Sequence, residues 1–180
     1  MKFSKFFVGF FAVAAAMLTT SCLSSEEEGG ASEAPVTPGV VNNLPTTNGG
    51  SVAQVTASAI TTPTEVISTS NGAAATATIT PAIAALVSDD ATVTFSVDKT
   101  ATNAVVVSLN SSDESTAAIP GGLEVEVSGL EPNSTYTTAD GTPVTVDANG
   151  VAKVTIKNYG TPIILTKVQS PVHSGGNGGN

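Results

Sequence analysis

Between residues 52 and 168 apolar and polar side chains alternate with a period of two, the mark of half-buried β-strands. Thr92-Val93-Thr94-Phe95-Ser96-Val97-Asp98 places Val93, Phe95 and Val97 on one face and polar groups on the other. Leu123-Glu124-Val125-Glu126-Val127-Ser128 repeats the arrangement, and Ala152, Val154 and Ile156 alternate with Lys153, Thr155 and Lys157. Shorter β-branched runs predict further strands at residues 52–59, 65–69, 74–80, 104–109, 144–147 and 162–168, a spacing typical of all-β domains. One stretch departs from this period: at residues 81–88 Pro81 suits a first-turn position and Ile83, Leu86 and Val87 share a face, which predicts at most two turns of helix.

Turn chemistry divides the strands. Asp140-Gly141 and Asn149-Gly150 both tolerate positive φ and are hairpin signals, so a short strand is expected between them. Ser128-Gly129-Leu130-Glu131-Pro132-Asn133-Ser134-Thr135-Tyr136 resembles the corner of fibronectin type III and related immunoglobulin-like sandwiches, in which a Leu-x-Pro-x-x-x-Tyr motif joins two sheets. The resemblance implies that Leu130 plugs the core, Pro132 turns the chain and the Tyr136 hydroxyl returns to backbone upstream. The fold class expected is therefore all-β, a single immunoglobulin-like antiparallel β-sandwich over residues 51–169.

Ahead of that domain the pattern changes twice. Lys2 and Lys5 precede an unbroken apolar run from Phe6 to Leu18, followed by Thr19, Thr20, Ser21 and Cys22. This is the build of a secretory signal peptide. The run is shorter than the roughly 20 residues that a membrane-crossing helix needs. Leu18-Thr19-Thr20-Ser21-Cys22 resembles a bacterial lipobox, with its apolar residue four places before the cysteine instead of three. The resemblance implies cleavage after residue 21 and lipid attachment at Cys22, the sole cysteine of the chain. Two or more acyl chains (palmitate-type) anchor a protein stably without a span. Next come Ser24, Ser25, Glu26, Glu27 and Glu28, then Gly29-Gly30, similar to the acidic export signal of Bacteroidota surface lipoproteins. That resemblance implies an outer-membrane location exposed on the cell surface. Residues 22–50, with Pro35, Pro38, Pro45 and paired glycines, read as a disordered linker, and residues 170–180 as a disordered tail.

Composition narrows the chemistry. The exported chain retains Lys99, Lys153, Lys157 and Lys167 against fifteen acidic residues, a net charge of −11 compared with −9 for the full chain. There is no arginine and no tryptophan, and after cleavage the aromatics are Phe95, Tyr136 and Tyr159. Nucleic acid is not an expected partner, since binding it needs clustered cations. His173 is the only histidine and stands beside a glycine-rich tail, where no scaffold positions it as a base. Glu124 and Glu126 share a strand face about 6–7 Å apart by strand rise, which overlaps the spacing of glycosidase pairs. Lys153 and Lys157 on a neighbouring strand offer them partners, so a solvent-facing charge ladder is the expectation. Calcium candidates are Asp89-Asp90, Asp140, and Asp147 with Asn149, although turn formation accounts for the last pair. No catalytic, cofactor-binding or metal-ligating residue is assigned.

These readings converge on a non-catalytic cell-surface lipoprotein, not an enzyme. It is attached to the membrane through Cys22 and presents an interaction module for adhesion, envelope structure or surface assembly. A glycan-binding accessory lipoprotein of a surface nutrient-uptake system is the alternative, as is an unprocessed minor fimbrillin-type pilus subunit. The partner is left open between protein and glycan. The loops at residues 110–122 and 137–142, polar and glycine-containing, are the expected contact sites.

Overall fold

A computed structural model describes residues 39–42, 44–45, 50–101 and 104–169. The signal peptide, Cys22, the acidic cluster from Ser24 to Glu28, most of the linker, and the tail with His173 lie outside the described residues. Among the described residues twelve strands follow in chain order: β1 (Gly39–Val41), β2 (Leu44–Pro45), β3 (Ser51–Thr56), β4 (Thr64–Ser70), β5 (Ala73–Ile79), β6 (Thr92–Lys99), β7 (Ala104–Ser111), β8 (Ala118–Ser128), β9 (Thr135–Thr137), β10 (Pro143–Thr145), β11 (Ala152–Asn158) and β12 (Ile163–Lys167). The expected antiparallel β-sandwich is the fold that forms. Its inner faces carry the alternating residues read from the sequence, with Val93, Phe95, Val97, Val125, Val127 and Ile156 all essentially buried.

Local sequence explains most elements. Asn71 and Gly72 both adopt positive φ, 47° and 78°, and Ser70 faces Ala73, so β4 and β5 are joined by a two-residue turn of the mirror-image kind that matches strand twist. Close approach requires Gly129 beside this turn: a Cβ there would stand 2.0 Å from the Gly72 carbonyl oxygen. Between β5 and β6 the predicted helix is one turn, α1 (Pro81–Ala84), with Pro81 at its first position and Thr80 accepting the Ile83 N–H on its hydroxyl. Ile83 and Val87 are buried as predicted.

The hydrogen-bonded path runs β10-β9-β12-β7-β6-β3-β4-β5-β8-β11. β3 is the hinge of the sandwich. Its first residue, Ser51, faces Thr69 of β4, whereas Ala53 to Thr56 face β6, so one strand passes from one layer to the other. Beyond β3 the layers are held by side chains. The buried Ser68 hydroxyl donates to the Ser51 carbonyl (2.7 Å) and accepts the Val97 N–H (2.9 Å). Ser70 donates to Asp98 (3.1 Å) and accepts the Lys99 N–H (3.3 Å).

Three features differ from the sequence reading. Residues 39–45, taken as the end of the linker, carry β1, which pairs in parallel with β4, and β2, which pairs with β3; Val41 packs against the core. The Asn149-Gly150 turn closes no hairpin, because β10 pairs with β9 and β11 with β8. It carries the chain between layers, and the Leu130 N–H bonds the Gly150 carbonyl across that crossing (3.0 Å). Thirdly, β7 and β8 extend through most of residues 110–122, leaving only 112–117 as loop.

Candidate functional site

The strand path has two ends, and they lie close together. β10 bonds only β9, and β11 bonds only β8, so among the described residues each has one edge without a ladder partner. β12 contributes a third free stretch. It meets β9 only at Thr166 and Lys167, because β9 ends at Thr137 and the chain turns away through residues 138–142. Between these edges lies an open groove of about 950 Å³, within the size range of ligand sites. Val144, Val154 and Ile163 supply apolar wall, and Asp140, Asp147, Lys153 and Lys157 stand along its lining.

Glu124 and Glu126 do share the exposed face of β8, and the lysines of β11 lie across from them. Lys153 is in register with Glu126 but reaches diagonally to Glu124, with 2.9 Å between Nζ and Oε1. That contact raises the ammonium pKa above its ordinary value, with Glu126 adding a smaller effect. Lys157 forms no ion pair among the described residues. No glutamate faces Lys157: Thr155 lies opposite Glu124 and Ile156 opposite Leu123, so the next β8 residue is Gly122, and Glu124 is held by Lys153; a bulge then shifts register to Asn158 opposite Ala118. Gly122 permits the bulge, since its φ is 76° and a Cβ would meet the Thr155 methyl at 2.3 Å.

The two expected contact loops are held by their own aspartates. In residues 112–117 Asp113 accepts the Ser111 hydroxyl and the backbone N–H groups of Ser88 (2.8 Å) and Ser115 (3.1 Å). The Ser111 hydroxyl first, then the Ser88 amide, hold its carboxyl down at about 2. In residues 137–142 Asp140 takes the Thr138 hydroxyl and the Thr142 N–H, which lower its pKa in that order of effect. Asp147 is lowered chiefly by the Val151 N–H, with help from Asn149, each at 2.8 Å. These aspartates close turns. Asp89 and Asp90 stand exposed in the loop before β6. Among the described residues no three or more His, Cys, Asp or Glu side chains gather to hold a metal ion.

At the corner Leu130 and Tyr136 are buried and Pro132 is exposed in a turn. The Tyr136 hydroxyl accepts the Glu131 N–H at a long 3.5 Å. A second tyrosine is fixed more firmly: Tyr159 donates to the Ile83 carbonyl at 3.1 Å, and burial pushes its phenol up to about 12.

The outer faces of the layers contrast. The layer with β4, β5, β8 and β11 exposes Glu124, Glu126, Lys153 and Lys157, with Glu65 half-buried on the same face. The layer with β6, β7 and β12 exposes mainly hydroxyls and amides, with Ser96 bonded to Ser108 (2.7 Å), Asn110 to Ser108 (3.2 Å) and Gln54 to Thr94 (3.4 Å), and one carboxylate, Asp98 opposite Val106. Ile164 pairs with Val106 in their midst. Among the described residues no helix is long and apolar enough to cross a membrane.

Comparison with protein-family models, curated proteins and solved structures finds no match to this chain. The groove was the part of the site that sequence reasoning missed. Apart from Glu126 its walls come from residues 138–164, strands that follow one another in the chain but do not pair with one another, and the available signals were indirect: Pro143 opening a short strand and lysines alternating along β11, both habits of sheet edges.

Proposed function

We propose that the protein is a non-catalytic, lipid-anchored interaction module on the outer surface of an outer membrane, serving adhesion, envelope structure or surface assembly. The observation that carries this reading is the groove between β10 and β11, where unpaired strand edges and apolar wall face solvent together. Exposed edges and apolar clefts are where sandwich domains take partners. The state of the acidic groups supports binding over turnover. Glu124 is engaged by Lys153, and Asp113, Asp140 and Asp147 are held ionised by turn hydrogen bonds, which suits none of them to protonate a leaving group.

A photo-crosslinking residue placed at Thr145 or Thr155 in intact cells tests the reading. Adducts at both positions, and none from Thr94 on β6 near the middle of the strand path, are expected. Adducts from all three, or from none, overturn it, as does hydrolysis by the purified protein that Glu124→Gln abolishes.

A second reading has its own observation. The hydroxyl and amide array around Ile164 and Val106, with a single carboxylate at Asp98 opposite Val106, suits a glycan, whose rings carry both hydroxyls and an apolar face. Retardation in polysaccharide-containing native gels, lost in Ile164→Asp, would move the function to that face.

A further inference from the structure

We infer that the groove takes an extended polypeptide segment of a partner protein as an additional strand along β11, with an acidic side chain set against Lys157. This rests on the binding role proposed for the groove and names its occupant. β11 runs for seven residues, about 23 Å at strand rise, and one of its edges has no ladder partner among the described residues. A strand laid there gains main-chain hydrogen bonds for affinity, and alternate side chains enter the groove for selectivity. The parity of β11 sets the pattern the occupant must match: Val154 and Ile156 point inward, while Lys153, Thr155 and Lys157 point outward. Apolar residues of the occupant therefore fall beside Val144, Val154 and Ile163, and its polar residues fall in line with the lysines.

Charge selects among occupants. Lys153 already has Glu124, whereas Lys157, which lies past Leu123 toward the glycines of β8, forms no ion pair among the described residues. An incoming acid answers that cation, and like charges directly opposite in a ladder are unfavourable. The same rule disfavours a second copy of this chain, since antiparallel pairing of two β11 strands sets lysines against lysines. β10 is no better as a self-partner, being three residues long with Pro143 at its start. Edge lysines and prolines guard strands against indiscriminate pairing, so a guarded edge that retains one unanswered cation is selective.

The test uses the mature lipoprotein in detergent micelles and two synthetic heptapeptides that alternate valine and threonine, one ending in glutamate and its twin in lysine. Hydrogen exchange followed by mass spectrometry should show slowed exchange across residues 152–158 with the glutamate peptide. Lys157→Glu should weaken that peptide about fivefold, the scale of one exposed ion pair, and should reverse the preference toward the lysine peptide. Circular dichroism of the variant controls for folding. Absence of slowing at 152–158, or binding indifferent to the charge at position 157, overturns the inference. If peptides fail while crosslinks at Thr145 and Thr155 persist, the strand occupant is wrong and the groove stands as a binding site. If both fail, so does the role proposed for the groove.

Discussion

Ser68 on β4 and Val97 on β6 are joined by a hydrogen bond in which the buried serine hydroxyl takes the place of a ladder carbonyl, accepting the Val97 N–H at 2.9 Å. Its own proton goes to the Ser51 carbonyl at 2.7 Å, so a single side chain ties three strands where the layers part. Ser68→Ala leaves a buried N–H and a half-buried carbonyl without this partner and should cost about 1–3 kcal/mol. Ser70→Ala should cost less, because Asp98 is exposed and can turn to water. Urea titration of both variants checks the order; an equal or reversed order would show that Ser68 does not bind the layers.

The two tyrosines should separate in the same way. Tyr159→Phe removes a fully buried 3.1 Å bond to the Ile83 carbonyl and is expected to cost about 1–1.5 kcal/mol. Tyr136→Phe removes only a 3.5 Å contact, weak by hydrogen-bond geometry, and should cost less than about 0.5 kcal/mol. Thermal midpoints measured side by side decide this. A larger loss at Tyr136 would mean that the corner hydroxyl carries more than its length suggests.

Asp113 should make the domain acid-sensitive. Its folded carboxyl is held at about 2 against an ordinary 3.8, so the native state favours the ionised form. The resulting stabilisation is complete above the unfolded value and is lost as pH falls from about 4 through 2. Stability measured from pH 6 to 2 should fall over that range, and less steeply in Asp113→Asn. Identical slopes for the two proteins would remove Asp113 as the cause.

The proposed lipid anchor makes its own prediction. Cys22→Ala should abolish metabolic labelling by a clickable fatty acid. Alanine at Glu26, Glu27 and Glu28 should preserve labelling and remove protease accessibility on whole cells. A labelled Cys22→Ala protein would contradict lipidation at that residue, and unchanged accessibility would reduce the acidic cluster to linker.

By itself the sequence determined which residues face inward. Alternation is local, so Val93, Phe95 and Val97, or Leu123, Val125 and Val127, could be assigned to the core without knowing what lay beside them. It also determined the Thr80-Pro81 helix start and the outward face shared by the β8 glutamates and β11 lysines, of which one pair, Lys153 with Glu124, forms. Only the tertiary structure decided which strands are neighbours, because ladder hydrogen bonds join backbone groups that are alike in every residue. Asn149-Gly150 has the same local chemistry whether it closes a hairpin or crosses between layers; the crossing is decided by β11 bonding β8, some 30 residues back in the chain. That pairing leaves β10 and β11 as the two ends of the path and opens the groove between them. The register of β11 on β8 then decides that Lys153 lies beside Glu124 and Glu126, whereas the β8 residues past Leu123 that Lys157 approaches are glycines.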